Sequence, residues 1–195
     1  MLIAFPRVTL SRWLILATML AATPALASAQ SPATFKLTSA DVATNGNMTL
    51  KQVYNGFGCT GQNVSPALMW TSPPAGTMSF AVTVFDPDAP TGSGWWHWMV
   101  YDIPATVTSI PAGAGNAGKP GLPAGALQGM TDFGAKGWGG PCPPAGDKPH
   151  RYVFTVFALK VAKLDVPATA TSAQIGFNLN AYSLGKASFT AKYGR

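Results

Sequence analysis

Residues 79–104 read SFAVTVFDPDAPTGSGWWHWMVYDIP, two apolar runs around a segment rich in Pro and Gly. The first run, 79–85, is apolar on both faces, which is typical of a strand in the interior of a sandwich. The second run, 97–103, follows the turn sequence TGSG at 91–94. The stretch therefore predicts two core strands joined by a loop.

Strand-like segments recur along the chain at 35–38, 67–70 and 151–159, and turn sequences separate them. Short strands at this spacing, without helices between them, favour an antiparallel arrangement. The pattern predicts a mainly β fold, an antiparallel sandwich of two sheets.

Two regions break the strand pattern. Residues 111–149 contain eleven Gly and seven Pro, too many for regular structure. The sequence DFG at 132–134 favours an ordered, ligand-facing loop there over a flexible linker. Further on, Ile175, Leu179 and Tyr182 fall at helical spacing. We therefore expect a C-terminal helix that packs on the sandwich.

The N-terminal segment, residues 1–29, has the pattern of a signal peptide. Arg7 and Arg12 precede a short apolar run, and Ala27-Ser28-Ala29 has the small-residue form of a cleavage site. An uncleaved anchor is the alternative. Cleavage would leave residues 30–195 as one domain of 166 residues, without a transmembrane anchor. The predicted location is the periplasm or the outside of the cell.

The charge is modest and scattered. Without Arg7 and Arg12, eleven basic residues face seven Asp and no Glu, a net charge of +4. The positive residues do not cluster, so a nucleic-acid-binding role is not predicted. A mildly positive field favours anionic ligands, although ordinary solubility explains the same charge.

The two cysteines, Cys59 and Cys142, are both predicted to lie in an exported domain. In an oxidising compartment such a pair forms a disulfide by default. The alternative is a nucleophilic thiol with a histidine partner.

Four residues have side chains suited to chemistry at strand ends. His97 and His150, the chain's two histidines, each follow a loop rich in Gly or Pro, and Asp86 and Asp88 follow a core strand. Residues at strand ends can converge on one edge of a sandwich and form a site there. The alternative is that each polar group only caps its own turn.

Several motifs in order resemble one family. They are FDPDAP at 85–90, WHW at 96–98, CTGQNVSP at 59–66, and GPCPP at 140–144 followed by HRY at 150–152. Together they resemble the phosphatidylethanolamine-binding proteins, also called Raf-kinase-inhibitor-like proteins, and specifically the bacterial branch. The resemblance extends over nearly the whole mature chain.

The resemblance implies a β-sandwich with a few peripheral helices and a small anion pocket at one end. It implies that Asp86, His97, Pro144 and His150 form the pocket. Further ligand-binding positions matched beside it are Asp88, Trp96 and Gly140.

The resemblance also leads to expectations about Trp96 and about the two cysteines near this pocket. Some family members have a second histidine where Trp96 stands, so a less polar pocket is expected here. The motifs that contain Cys59 and Cys142 both flank the pocket, which implies that the two cysteines meet across its edge.

The function predicted on this basis is a non-catalytic binding protein for a phosphate-bearing or other small anionic group, with modulation of a protein partner as a second version. No cofactor and no metal is predicted. The alternative is a hydrolytic enzyme that uses Asp86, His97 and His150 as acid, base or metal ligands. Against that alternative, the sequence contains no GxSxG or HExxH pattern.

Overall fold

The computed structural model describes residues 34–116, 118 and 121–195, together with residues 1, 2 and 4. The predicted signal peptide, apart from residues 1, 2 and 4, lies outside the described residues, so its cleavage stays a prediction. One compact unit spans Ala33–Arg195. The domain start predicted at residue 30 stays a prediction as well.

The unit is built mainly from β-strands that pair antiparallel. In chain order the elements are β1 (Lys36–Thr38), β2 (Asn55–Gly56), β3 (Cys59–Thr60), β4 (Leu68–Thr71), β5 (Ser79–Asp86), β6 (Trp95–Pro104), β7 (Ser109–Ile110), β8 (Leu127–Gln128), β9 (His150–Leu159), α1 (Ser172–Tyr182) and β10 (Ser183–Tyr193). Five strands form one sheet in the order β10-β9-β5-β6-β8, and three form a second sheet in the order β1-β4-β7. The predicted antiparallel sandwich is confirmed.

The main core lies between these two sheets. Trp70 from β4 packs on Phe80 from β5, with 5.2 Å between their ring centroids. Phe154 from β9 stacks on Phe189 from β10 at 4.7 Å. Because Trp70, Phe80 and Phe154 are almost completely buried, this layer removes a large apolar area from water and provides much of the driving force for folding.

Helix α1 covers the opposite face of the five-stranded sheet. Ile175 and Leu179 are buried there, next to Met99 and Phe157. The helix begins with a capping box, in which the Thr171 hydroxyl and the Gln174 side chain each satisfy a backbone N–H. With one face on the core and the other under α1, β5 is buried along almost its whole length. In the described part of the chain α1 is the one α-helix, where a few had been expected.

A β-bulge interrupts the pairing of β5 with β6. Val84 is opposite Trp98 but Phe85 is opposite Trp96, so His97 is an extra residue on β6. A bulge breaks the alternation of side chains between the two faces of a sheet. As a result Trp98 and the preceding His97 both face the main core, where the His97 ring contacts Tyr152.

Candidate functional site

Three strands bring polar side chains to one end of the sandwich. Asp86 ends β5, His97 lies at the bulge in β6, and His150 begins β9. Each is 3% exposed. Together with Pro144 they line a cavity of about 150 Å³. The structure therefore brings together the four residues that the family resemblance assigns to the pocket. We call Asp86, His97 and His150 the strand wall.

Asp86 and His150 form a buried ion-pair geometry. Asp86 Oδ2 lies 2.8 Å from His150 Nδ1. Asp86 Oδ1 accepts a hydrogen bond from the backbone N–H of Asp88 at 2.8 Å. On the other side of the imidazole, His150 Nε2 is 3.4 Å from Asp147 Oδ2. The His150 ring is thus held between two carboxylates, which fixes its orientation.

His97 is held by a carbonyl group. Its Nδ1 is 2.6 Å from the Gly139 carbonyl oxygen. Since a carbonyl oxygen can only accept, Nδ1 carries the proton. Burial lowers the pKa of His97 to about 4, although the Gly139 carbonyl acts in the opposite direction. At neutral pH the ring is therefore uncharged, and its Nε2 can accept a hydrogen bond.

Tyr152 also lines the cavity. Its ring packs edge-on against His97, with 5.0 Å between the ring centroids. Burial raises the pKa of the Tyr152 hydroxyl, and the charge of Asp86 adds to the shift. Among the described residues this buried hydroxyl has no hydrogen-bond partner. A buried donor without a partner is costly, so a ligand or a water molecule at this position would be stabilising.

Asp88 and Gly140 lie outside the cavity lining. Asp88 accepts hydrogen bonds from Nε and Nη2 of the Arg151 guanidinium and from the Arg151 backbone N–H, and these lower the pKa of Asp88 to about 2. At Gly140 a Cβ atom would collide with the Gln52 carbonyl oxygen. Asp88 thus has a structural role as the partner of Arg151, and Gly140 has one because a side chain would not fit there. The predicted contact of these two residues with a ligand stays a prediction.

Trp96 also lies outside the cavity lining, on the α1 side of the sheet. Its ring packs on Phe85 at 4.5 Å and lies beside Gly176 of α1. The neighbouring Trp95 lines the cavity instead. The bulge at His97 causes this exchange, because it shifts the alternation of β6 by one residue. The indole ring that lines the cavity is therefore that of Trp95 and not that of Trp96.

The predicted disulfide between Cys59 and Cys142 is present. It links the β2–β3 hairpin to the segment 142–144, which lines the cavity. Both cysteines are thus consumed in a covalent bond, so the alternative of a nucleophilic thiol is ruled out in this structure.

A second set of residues that line the cavity is mainly apolar. We call it the rim and define it by Phe57, Phe133 and residues 142–144, all of which line the cavity. Phe133 belongs to the DFG sequence that indicated a ligand-facing loop. Phe57, however, lies in the sequence NGFGC, which indicates only a turn. Sequence reasoning missed Phe57 and Tyr152. It named Trp95, Trp96 and Trp98 as residues that could line the cavity and left open which of them do, because their facing depends on strand register.

The cavity contains no lysine or arginine among its described lining residues. Its ionisable groups are one carboxylate, two imidazoles and one phenol. In the part of the chain that the structure describes, no group of three or more His, Cys, Asp or Glu side chains is arranged to hold a metal ion. Among the described lining residues the cavity therefore offers hydrogen-bonding groups and no side chain with a fixed positive charge.

Comparison with known proteins agrees with this architecture. The sequence profile of the phosphatidylethanolamine-binding proteins matches residues 38–194. The chain belongs to this family. The match includes β2 to β10 and every residue of the strand wall.

Other members of the phosphatidylethanolamine-binding protein family are similar over most of the chain. The UPF0098 protein YbcL of Escherichia coli is 53% identical over 166 residues, which are 85% of this chain and 90% of YbcL. The crystal structure of YbcL, described as a new member of the mammalian family, superposes with a TM-score of 0.81 at 52% identity, over 84% of this chain and 99% of the other.

Two more relatives differ in how much they share with this chain. The UPF0098 protein YbhB of E. coli is 48% identical over 158 residues, 81% of this chain and 99% of YbhB. LppC of Mycobacterium tuberculosis, named as a candidate lipoprotein, is 42% identical over 118 residues, 60% of this chain and 54% of LppC.

Proposed function

We propose that this member of the phosphatidylethanolamine-binding protein family is an exported binding protein whose cavity takes a small oxyacid group, either a phosphate monoester or a carboxylic acid. The observation that carries the proposal is the convergence of Asp86, His97 and His150 on one cavity of about 150 Å³. Burying three polar groups at one end of a sandwich costs free energy, so such a cluster indicates either a ligand or a structural role.

The protonation states of His97 and Tyr152 restrict the chemical class of the ligand. Neutral His97 offers an acceptor nitrogen, whereas the Tyr152 hydroxyl is a donor without a partner among the described residues. A protonated oxyacid has both a hydroxyl that donates and an oxygen that accepts, so it matches this pair. A fully ionised phosphate would meet Asp86 without a lysine or arginine in the described lining to offset the repulsion.

Export is supported by two observations. A disulfide between Cys59 and Cys142 is typical of an oxidising compartment, and LppC, a candidate lipoprotein, is similar to this chain. On these two observations we propose that the protein acts in the periplasm or outside the cell, after removal of residues 1–29. Separately, no helix among the described residues has the length and apolar character of a membrane span. Modulation of a protein partner stays a prediction.

Catalysis is the competing function. The pair Asp86–His150, 2.8 Å apart, has the geometry of a general base oriented by a carboxylate. Cys142 is in the disulfide and the Thr91 hydroxyl donates to the Gly94 carbonyl, so neither is free to act as a nucleophile. In the simplest hydrolytic mechanism His150 would activate a water molecule.

Titration calorimetry with methyl phosphate tests the binding function. Replacement of His150 by Gln removes the ring that pairs with Asp86, and we expect affinity to fall by about tenfold or more. Asp165→Asn, which changes a carboxylate outside the lining, should leave affinity unchanged. Equal affinity in the wild type and His150→Gln would overturn the assignment. Phosphorus NMR of the same samples would show free phosphate if the protein were a hydrolase.

A further inference from the structure

The rim of the cavity has an aromatic surface. Phe57 and Phe133 stack with ring centroids 5.8 Å apart and an interplanar angle of 11°. Trp95 packs edge-on against Phe133 at 5.4 Å. Although it is part of this cluster, Phe57 is 66% exposed. Because Phe57 also lines the cavity, part of its ring is available for contact with a bound molecule.

The backbone at Phe57 has an unusual conformation. Its φ angle is +53°, and the φ angle of Gly58 is +80°. A bulky residue is rare in the left-handed region, because this conformation is strained and persists only where surrounding contacts hold it. Residues with such strained backbones are found more often at functional sites than elsewhere. Retention of an exposed phenyl group at this strained position is unexpected for an ordinary turn, where Gly or Asn would serve.

Two connections hold Phe57 over the cavity. The disulfide at Cys59 ties the hairpin to Cys142. The Arg195 guanidinium donates hydrogen bonds to the carbonyl oxygens of Phe57 at 3.4 Å and Gly58 at 3.1 Å, and its Nε donates to the Pro143 carbonyl oxygen at 2.7 Å. Arg195 thus joins the two segments of the rim through their backbones and fixes the distance between them.

The strand wall and the rim offer different contacts to one molecule. The strand wall presents buried hydrogen-bonding groups to the cavity, whereas the rim presents aromatic side chains, of which Phe57 is largely exposed. A molecule with an acid group at one end and a flat apolar group at the other would match both. The small cavity volume, about 150 Å³, limits the buried part of the molecule to the acid and its first substituent.

We propose that the ligand is an oxyacid with an aryl substituent, and that Phe57 is the residue that selects the substituent. This inference rests on the proposed function, since it assigns the acid group to the strand wall. The aryl ring packs on the exposed face of Phe57, and Arg195 acts as a positioning residue for that face. Aryl contacts of this kind are worth about a threefold to tenfold difference in affinity.

Calorimetric titration with phenyl phosphate and methyl phosphate tests the inference. We expect the wild-type protein to bind phenyl phosphate about threefold to tenfold more tightly than methyl phosphate. In Phe57→Ala that ratio should fall to near one while the affinity for methyl phosphate stays the same. Phe57→Leu, which keeps apolar area but no ring face, should give an intermediate ratio.

The chain contains a matched control, Phe177 on α1, which is 75% exposed and lies outside the cavity lining. Phe177→Ala should leave both affinities unchanged. Equal binding of the two esters by the wild type, or an unchanged ratio in Phe57→Ala, would overturn the inference and leave the acid site standing. Failure of the wild type to bind either ester would overturn the proposed function together with the inference.

Discussion

The strand wall and the rim enclose the same cavity, but they are held in different ways. The strand wall lies on three paired strands of the large sheet, and its members are buried against the main core. The rim lies on loops, where one disulfide and the Arg195 guanidinium hold it. Because of this difference, each side can be perturbed separately by mutation. The strand wall is changed through its buried ionisable groups, and the rim through the disulfide and Arg195.

The largest effect is expected from loss of the disulfide. Replacing Cys59 and Cys142 by Ser opens a loop closed over 83 positions, and chain entropy predicts a loss of about 4 kcal/mol in the free energy of unfolding. Urea denaturation of the variant and the wild type measures this loss. Because the chain has two cysteines in total, reductant added to the wild type should produce the same shift.

The disulfide variant also tests the separation of the two sides. If the strand wall is independent of the cross-link, the folded variant should retain the pH dependence described next for His97. Loss of that dependence, in a variant that still unfolds cooperatively, would mean that the rim supports the strand wall.

A second effect, on stability against pH, arises in the strand wall. Burial lowers the pKa of His97 to about 4 from 6.5, so between these values the unfolded chain binds more protons than the folded one. Stability therefore falls as the pH drops from 6.5 to 4, by about 3 kcal/mol from this residue. Denaturation at a series of pH values measures the slope.

The control is His97→Asn, whose side chain does not titrate but can still donate to the Gly139 carbonyl. We expect a flatter stability curve between pH 6.5 and 4 in this variant. Asp88, with its pKa held at about 2 by Arg151, contributes below this window, because its contribution is lost as the pH falls from 3.8 to about 2. An identical slope in the variant and the wild type above pH 4 would contradict the role of His97.

The smallest effect, on ligand affinity, is expected from Asp147, which lies on a loop next to the rim and faces His150 of the strand wall. Asp147 Oδ2 faces His150 Nε2 at 3.4 Å, so its charge opposes an anion that approaches this ring. For a partly exposed carboxylate the effect is below about 1 kcal/mol, so we expect a gain in affinity for methyl phosphate of less than about fivefold in Asp147→Asn. Calorimetry measures it, with Asp165→Asn as the control for net charge. An equal gain in both variants would show a general charge effect.

Most of the strand wall could be predicted from the sequence. The strands expected at 79–85, 97–103 and 151–159 are present with ends shifted by one or two residues, because continuous apolar runs with turns at both ends leave little choice. The C-terminal helix is present too. Strand β10 was not predicted, since Ser183–Tyr193 contains Gly and Lys and follows α1 without a turn sequence.

The rim was harder to predict for a physical reason. The position of Phe57 over the cavity depends on a disulfide and on Arg195, whose partners lie more than fifty positions away in the chain. Local sequence patterns carry no information about such contacts. Likewise the two neighbouring tryptophans, Trp95 and Trp96, are indistinguishable in sequence, and only the pairing of β5 with β6 decides which of them faces the cavity.

The bulge at His97 has a consequence for how such a cavity can diversify. With regular pairing, the sequence WWHW at 95–98 would turn the imidazole toward α1 and present the Trp96 indole to the cavity. With the same four residues, the presence or absence of the bulge therefore determines whether an imidazole or the Trp96 indole lines the cavity. Insertion or deletion of a single residue in this strand can exchange the chemistry of the cavity in one evolutionary step, with no substitution of any residue that lines it.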